Sequence, residues 1–208
     1  MSINTFTEGY VGPQLLSNGS VSQRDRRSKT NAAVVTNAHG DYWEAVSRGV
    51  VYTGSNLLGT AVTTQAGLSA TTPALTLHNP STSGVIANLL SVSIGVNAAP
   101  AAATTLCLAL NSNANAPTST TDASIVSAMN GYGVANAVKC YRIATLAAAP
   151  VATVFLGSIS AASLVAALSW VVDLKGGVGL YPGSQLSIQS TTAVAVFCSF
   201  TWEEVPIV

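Results

Sequence analysis

The sequence predicts an all-β domain, built as a sandwich or a barrel, that follows an irregular N-terminal segment. Three observations predict it. Short runs rich in Val, Ile, Leu and Thr recur from residue 41 to the end of the 208-residue chain. Gly, Pro, Asn or Ser bounds each run, as is typical of a sandwich or barrel. No repeat of fixed period is visible, which argues against a solenoid or a propeller.

The first predicted strand lies in DYWEAVSRGVVYTG, where large and polar side chains alternate at period two. The predicted strands span about 42–52, 60–64, 74–79, 85–96, 104–110, 138–146, 151–156, 169–174, 185–190 and 193–203. Two turns are predicted. HNPSTSG (78–84) separates two apolar runs with Asn-Pro and Gly. In YPGS (181–184), Pro182 and Gly183 suit the central positions of a type II turn.

Three segments depart from this pattern. Residues 112–136 are rich in Asn, Ala, Ser, Thr and Gly, which predicts a long loop with a short helix near Ala123–Met129. The segment 158–168 suits a helix by its Ala and Leu content and a strand by its neighbours, so both alternatives stay open. Residues 1–40 have no sustained period, which predicts an extended N-terminal arm before a domain at 41–208.

Charged residues are scarce and unevenly placed. They make up 8% of the chain, against about 25% in ordinary globular proteins. Between Arg48 and Lys139 the only charged residue is Asp122. Monomers usually keep interspersed charges for solubility, so this stretch favours a surface that other subunits cover. The alternative is a neutral, hydroxyl-rich surface that faces solvent. The net charge of zero gives no whole-chain signal for nucleic acid or an anionic membrane.

The N-terminal sequence MSINTFTEGYVG lacks the basic and apolar regions of a secretory signal. No apolar run reaches the ~20 residues that a membrane-spanning helix needs. We therefore expect a protein that is made in a cytoplasm and is soluble or assembled there.

Cys107, Cys140 and Cys198 lie singly inside strand-like apolar runs. An odd count without a CxxC spacing argues against a disulfide framework or a zinc site. We interpret all three as small buried hydrophobic residues. No other group of His, Cys, Asp and Glu has metal-ligand spacing, and we expect no metal and no cofactor.

The sequence also predicts no catalytic site. His39 and His78 are in loop contexts, and His78, beside Asn79-Pro80, is interpreted as a turn residue that hydrogen-bonds locally. Glu203 and Glu204 are adjacent on a predicted strand and should point to opposite faces. That arrangement suits solvation or an inter-chain ion pair better than paired acid–base catalysis. The glycine motifs at 131–133 and 176–179 are predicted turns, because neither opens a helix after a strand.

Arg24, Arg26, Arg27 and Lys29 form the one basic cluster, with Asp25 among them. The cluster could contact phosphates, dock the arm onto an acidic neighbour or be solvated. We favour docking between subunits, and these four residues are the predicted assembly contacts. The aromatic residues Tyr42, Trp43, Trp170, Phe200 and Trp202 are predicted as core and strand-pair anchors rather than as a stacking platform for bases.

The C-terminal stretch TWEEVPIV, preceded by LYPGSQLSIQSTTAVAVFCSF, resembles the end of small structural proteins of tailed bacteriophages. The segment DYWEAVSRGVVYTGSN, with the later LHNPSTSGVIANLLSVSIGV, resembles their beginning. These proteins are similar to capsid decoration (cement) proteins. The likeness spans about residues 41–208 and does not include the arm.

The resemblance implies an antiparallel β-sandwich of jelly-roll type, often trimeric, with no catalytic residue to carry over. Together with the charge pattern it predicts a virion structural protein on the capsid exterior, assembled in the host cytoplasm. Its expected partners are copies of itself, as a homotrimer, and the major capsid protein. Direct contact with nucleic acid or a membrane is not expected. The alternative is a module of a phage tail or fibre that binds a host receptor or glycan, which an aromatic-lined groove would favour.

Overall fold

The computed structural model describes residues 42–56, 61–63, 68–71, 73–112, 115–128, 135–160 and 168–207. This part of the chain is nearly all β, which confirms the predicted fold class. The elements are α1 (Trp43–Ser47), β1 (Val51–Ser55), β2 (Val62–Thr63), β3 (Thr76–Asn79), β4 (Val85–Val96), β5 (Thr104–Asn111), β6 (Thr118–Asp122), β7 (Ser124–Ser127), β8 (Lys139–Thr145), β9 (Val151–Ile159), β10 (Ser169–Leu180), β11 (Ser184–Ser190) and β12 (Ala195–Pro206).

The strands form two antiparallel sheets that pack face to face as a β-sandwich. Sheet 1 has the order β10-β4-β12-β1-β7, and the short β2 also pairs with β12. Sheet 2 has the order β6-β8-β3-β11-β5-β9. The side chains of each strand alternate between the core and the outer face of its sheet, which explains the period-two patterns of the sequence.

Eight of the strands pair in a nested order. β1 pairs with β12, β3 with β11, β4 with β10 and β5 with β9. The first strand of this set therefore pairs with the last, the second with the second-last, and so on inward to the pair β5–β9. Successive strands of the set alternate between the two sheets, except at β5 and β9, which are neighbours in sheet 2. β6, β7 and β8 form an insertion between them.

The core between the sheets is apolar and closely packed. Its largest fully buried side chains include Trp202 and Phe200 of β12, so two of the predicted aromatic anchors are confirmed. Trp170 is partly buried against the core, whereas Trp43 is 51% exposed and the prediction for it is wrong. The Trp202 ring lies 6.0 Å from the ring of Tyr52, centroid to centroid. Apolar burial of this kind is the dominant stabilising term in folding.

The prediction of a strand over 42–52 is wrong at its start, because Trp43–Ser47 is helical. The Arg48 amide donates to the Glu44 carbonyl at 3.0 Å, the spacing of an α-helical bond, and the same two side chains form an ion pair at 4.0 Å. Ala45 and Gly49, four residues apart, are the buried positions of this segment. The large residues that suggested period two belong to a short helix followed by β1.

Residues 112–136 are not one long loop, and the helix predicted near Ala123–Met129 is wrong over its described part. Thr118–Asp122 and Ser124–Ser127 are strands β6 and β7, which lie at the edges of sheets 2 and 1. β6 is almost wholly exposed, so it has no buried face that would require alternating apolar residues. The hydrogen bond from the Ala123 amide to the Cys140 carbonyl (2.9 Å) marks the point where the chain passes between the sheets.

Residues 176–179 were predicted as a turn and instead lie inside β10. The register against β4 shifts between Asp173 and Val178, and Lys175 and Gly176 have φ values of 50° and 76°. This is the geometry of a β-bulge, in which residues with positive φ accommodate extra chain. The glycines lie at the bulge and not in a turn, and the strand continues through it to Leu180.

The turn predicted at YPGS is confirmed. The Ser184 amide donates to the Tyr181 carbonyl at 3.0 Å, and Gly183 has φ of 87°, as the third position of a type II turn requires. In HNPSTSG the turn begins only at Pro80, since His78 and Asn79 still belong to β3. The predicted arm at 1–40 and the centre of the ambiguous segment, 161–167, lie outside the described residues.

Candidate functional site

The predicted assembly residues Arg24, Arg26, Arg27 and Lys29, together with His39 and the motif at 131–133, lie outside the described residues. The described residues hold no cluster of three or more His, Cys, Asp or Glu side chains placed to bind a metal ion. They also contain no helix long and apolar enough to span a membrane.

All three cysteines are free and buried, as predicted. Cys140 of sheet 2 and Cys198 of sheet 1 both point into the core between the sheets. Burial raises the pKa of the Cys198 thiol to about 12. Burial, with a smaller contribution from Cys198, raises the pKa of Cys140 further. Cys107 lies on the outer face of sheet 2, and burial raises its pKa as well. Thiols held in their neutral form are poor nucleophiles and poor metal ligands.

Glu203 and Glu204 point to opposite faces, as predicted, but their roles differ from the prediction. Glu203 is on the outer face of sheet 1, 3.4 Å from the guanidinium of Arg48 in the same chain. Glu204 is buried and accepts hydrogen bonds from the backbone amides of Ala137 (2.9 Å) and Val138 (3.0 Å). It also accepts one from the Trp202 indole at 3.2 Å. Glu204 is thus a structural carboxylate that ties β12 to the segment leading into β8, rather than a solvated one.

His78 is a buried strand residue and not the turn residue that the sequence predicted. It is 3% exposed on the outer face of β3, and neither ring nitrogen has a hydrogen-bond partner within the described part of the chain. Its ring stacks on Tyr141 of β8, with centroids 6.4 Å apart. Burial lowers the pKa of His78 below its usual 6.5. The Asn79-Pro80 pair correctly indicated a turn, but the turn begins at Pro80, two residues later than predicted.

The lowered pKa of His78 predicts a specific dependence of stability on pH. Well above pH 6.5 the imidazole is neutral in both the folded and the unfolded chain, so it contributes no pH dependence. As pH falls below 6.5, the unfolded chain binds a proton that the folded chain does not, and the free energy of unfolding decreases until the folded-state pKa is passed. The neighbours of the imidazole across the sheet are exposed Lys139, which pairs with His78, and Tyr141, whose ring stacks on the imidazole. The carboxylate of Asp122 belongs to the residue that pairs with Tyr141, one strand further away, so among these neighbours no carboxylate directly adjoins the imidazole.

We expect urea midpoints of the wild-type protein to fall between pH 7.5 and 5.5, and those of His78→Gln to fall less. His39→Gln is the matched control, since these are the two histidines of the chain, and it should retain the wild-type slope. Equal slopes for wild type and His78→Gln would contradict the assignment.

A groove of about 870 Å³ lies on the outer face of sheet 1. Its lining has no charged residue. The lining consists of Ser55, Asn56, Ser93, Ile94, Gly95, Ser124, Ser169, Trp170, Val171, Phe197, Cys198 and Ser199. Hydroxyl groups and the Phe197 ring therefore meet in one concave, neutral surface, whereas the Trp170 side chain packs inward against the core.

The floor of the groove is a row of serines set by strand register. Ser93 of β4 pairs with Ser199 of β12, Ser199 with Ser55 of β1, and Ser55 with Ser124 of β7. Neighbouring strands lie about 4.8 Å apart, so the four hydroxyls form a regular line across the sheet. The next row carries further hydroxyls, with Thr53 Oγ1 3.2 Å from Thr201 Oγ1. Sequence reasoning missed this row because the four residues come from four separate strands, and only their pairing aligns them.

The second candidate surface is the β9–β10 edge, defined by Val151, Phe155 and Val171. β9 ends sheet 2 and β10 ends sheet 1, and no described strand pairs with their outer sides. The two edges lie on the same side of the sandwich, because a Cβ on Gly157 of β9 would be 3.5 Å from the Trp170 ring of β10. Val151, Phe155 and Val171 are 69%, 76% and 66% exposed.

The β9–β10 edge combines apolar side chains with backbone edges that no described strand pairs with. Open strand edges invite pairing with other chains, and proteins usually protect them with charges or proline. β9 contains neither, although its pairing with β5 is broken by two register shifts. Large exposed apolar residues in such a position are typical of a contact surface.

Comparison of the chain with protein-family models, with curated proteins and with solved structures finds no match.

Proposed function

We propose that the protein is a virion structural protein of a tailed bacteriophage, a capsid decoration (cement) protein that binds and stabilises the capsid lattice as a homotrimer. The observation that carries the proposal is the β9–β10 edge, which exposes large apolar side chains on a chain with few charges. Contact faces built from neutral residues avoid the desolvation cost of buried charges. A lattice protein needs such faces both for its own copies and for the major capsid protein.

We also infer that the sandwich is a jelly roll. A jelly roll has eight antiparallel strands in two sheets, as if a long hairpin were wrapped around a core. The nested pairs β1–β12, β3–β11, β4–β10 and β5–β9 support this assignment, because they are the pairs of such a hairpin. The resemblance of residues 41–208 to decoration proteins leads to the same topology from the sequence.

The protein acts, in this proposal, without catalysis and on the exterior of the capsid. The separation of Glu203 from Glu204 and the burial of His78 support a non-enzymatic role, because neither arrangement suits paired acid–base catalysis. A cyclic trimer uses one patch against a different patch of the next copy, so the β9–β10 edge would face a second surface on the neighbouring subunit. The basic residues Arg24, Arg26, Arg27 and Lys29 are assigned to docking of the arm.

The oligomer is tested with the double variant Val151→Ser/Phe155→Ser. We expect the wild-type protein to be a trimer by size exclusion with light scattering, and the double variant to be a monomer. The matched control is Val126→Ser, a 59% exposed valine on β7 at the other side of the sandwich, which should stay trimeric. A monomeric wild-type protein at high concentration would contradict the trimer, and a trimeric double variant would place the contact elsewhere.

Binding to the lattice is tested by incubating the protein with purified shells of the phage that encodes it and measuring co-sedimentation. We expect saturable binding by the wild type and weaker binding after deletion of residues 1–40. Unchanged binding by the deletion variant would exclude the arm as the docking element. A failure of the full chain to bind shells would overturn the decoration role itself.

The second candidate is a tail or fibre module that binds a host receptor or glycan. The groove on sheet 1 favours it, because a neutral cleft with aromatic and hydroxyl groups suits a sugar, which presents apolar faces and many hydroxyls. Binding to host cells or polysaccharide, without binding to shells, would select this candidate. A Phe197→Ser variant should then lose most of the glycan binding.

A further inference from the structure

The outer face of sheet 2 carries a line of buried polar side chains that we call the polar track. Leu77 and Leu186, which pair with each other, point into the core, so the residues on either side of them point outward. The polar track consists of Thr76 and His78 of β3 and Gln185, Ser187 and Gln189 of β11. Each of these residues is at most 3% exposed. An outer sheet face is normally in contact with solvent, so polar residues there are rarely buried so completely.

Chain segments cover the polar track and use some of its hydrogen-bonding groups. The Gln185 amide nitrogen donates to the Asn115 carbonyl at 2.5 Å. The Gln189 amide nitrogen donates to the Ser69 carbonyl at 3.1 Å and to Ser187 Oγ at 3.2 Å. The neighbouring Asn111 of β5 reaches the Ala148 carbonyl at 2.8 Å. The amide donors of this face are therefore bonded to the covering backbone.

Four other atoms of the polar track, on Thr76, His78 and Gln189, have no partner among the described residues. Thr76 Oγ1, both ring nitrogens of His78 and Gln189 Oε1 are buried and make no hydrogen bond within the described part of the chain. Buried polar groups in folded proteins are bonded to protein or to ordered water in all but a few cases. Four such atoms along a single strand pair are therefore expected to hydrogen-bond to a bound molecule that is not part of the chain.

The donors and acceptors among these four atoms indicate which kind of bound molecule would satisfy them. A neutral imidazole offers one donor and one acceptor, a threonine hydroxyl offers both, and an amide oxygen only accepts. The bound molecule must therefore both donate and accept hydrogen bonds. No residue of the polar track is charged, and exposed Lys139 lies beside His78 in the sheet, which disfavours a cation. Water is the smallest neutral molecule that meets these requirements, and buried water makes about three hydrogen bonds with such groups.

We propose that the polar track binds a short chain of ordered water molecules that bridges His78, Thr76 and Gln189 to the covering segments. Successive outward residues of a strand are about 7 Å apart, too far for direct hydrogen bonds between them and a suitable distance for one or two bridging waters. The waters complete the attachment of the covering segments to sheet 2, which the amide donors begin.

The variant Thr76→Val tests the proposal, because valine has nearly the shape of threonine and removes only the hydroxyl. If water binds Thr76, the variant deprives that water of a partner, and the urea midpoint falls. If the polar track is dry, the variant removes an unpaired hydroxyl, and the midpoint stays equal or rises. Thr104→Val is the matched control: Thr104 is equally buried, its hydroxyl donates to the Thr192 carbonyl at 2.9 Å, and its removal must lower the midpoint.

A crystal structure of the wild-type protein supplies the second measurement. We expect ordered water within hydrogen-bond distance of Thr76 Oγ1, of a His78 ring nitrogen and of Gln189 Oε1, and a fall in the midpoint of Thr76→Val of the same sign as in Thr104→Val. Absence of ordered water at these atoms, or a Thr76→Val midpoint at or above that of the wild type, overturns the proposal.

Discussion

Glu204→Gln is expected to lower the free energy of unfolding by about 3 kcal/mol. Glu204 accepts hydrogen bonds from two backbone amides, of Ala137 and Val138, and from the Trp202 indole, all in a buried position. A glutamine of the same shape has only one acceptor oxygen, and its NH₂ group would face one or more of these donors. Hydrogen bonds to a charged acceptor are worth about 1.5–3 kcal/mol, and stranding a buried donor adds a further cost.

Glu203→Gln is the control, because it makes the same chemical change one residue away on the opposite face. Its partner, Arg48, is more than half exposed, and solvent-exposed ion pairs contribute about 0–1 kcal/mol. Urea denaturation at pH 7 should separate the two variants clearly. Similar losses in both would show that the contacts of Glu204 do not determine its contribution to stability.

Gly54→Ala is expected to destabilise the sandwich by about 2–3 kcal/mol. Gly54 lies on the core side of β1, where a Cβ would be 2.8 Å from Cys140 Sγ, 2.9 Å from Cys140 Cβ and 3.1 Å from the Trp202 ring. Cys140 belongs to the facing sheet, so the methyl group would force the two sheets apart or displace the indole. The thermal midpoint and the urea midpoint should both fall.

Gly95→Ala provides the comparison within the same sheet. Gly95 of β4 is on the outer face, and its Cβ would be no closer than 3.8 Å to Phe197. We expect a change of at most about 0.5 kcal/mol, since surface substitutions without close contacts are usually near neutral. If both glycine variants behaved alike, close packing at Gly54 would not be the reason for the loss.

The strands with apolar alternation could be located from the sequence, and their sheet order could not. β4 is found at the residues predicted for it, 85–96, because one face of it is buried along its whole length. β6 was missed because it is exposed on nearly every residue, so no apolar period marks it. The helix at Trp43–Ser47 is too short for a helical period to stand out against the strand that follows.

The candidate surfaces were even harder to predict from the sequence than the strands, because they depend on which strands pair and in which register. Each of the serines Ser55, Ser93, Ser124 and Ser199 is an ordinary residue in its own strand, and only the register makes them a row. Burial likewise decides the role of His78: its neighbours along the chain suggest a turn, whereas its neighbours across the sheet enclose it. The exposure of Phe155 is a property of a sheet edge, which local sequence does not specify.

The nested pairing of β1 with β12 has a consequence for how the protein is made. β12 lies between β4 and β1 in sheet 1, so the last of the described strands in chain order is needed at the middle of the sheet. During translation β4 and β1 have no strand between them, and their edges remain available to other chains. Distant pairing of this kind slows folding and favours misassembly of nascent chains. The native sheet can therefore close only after β12 has emerged from the ribosome.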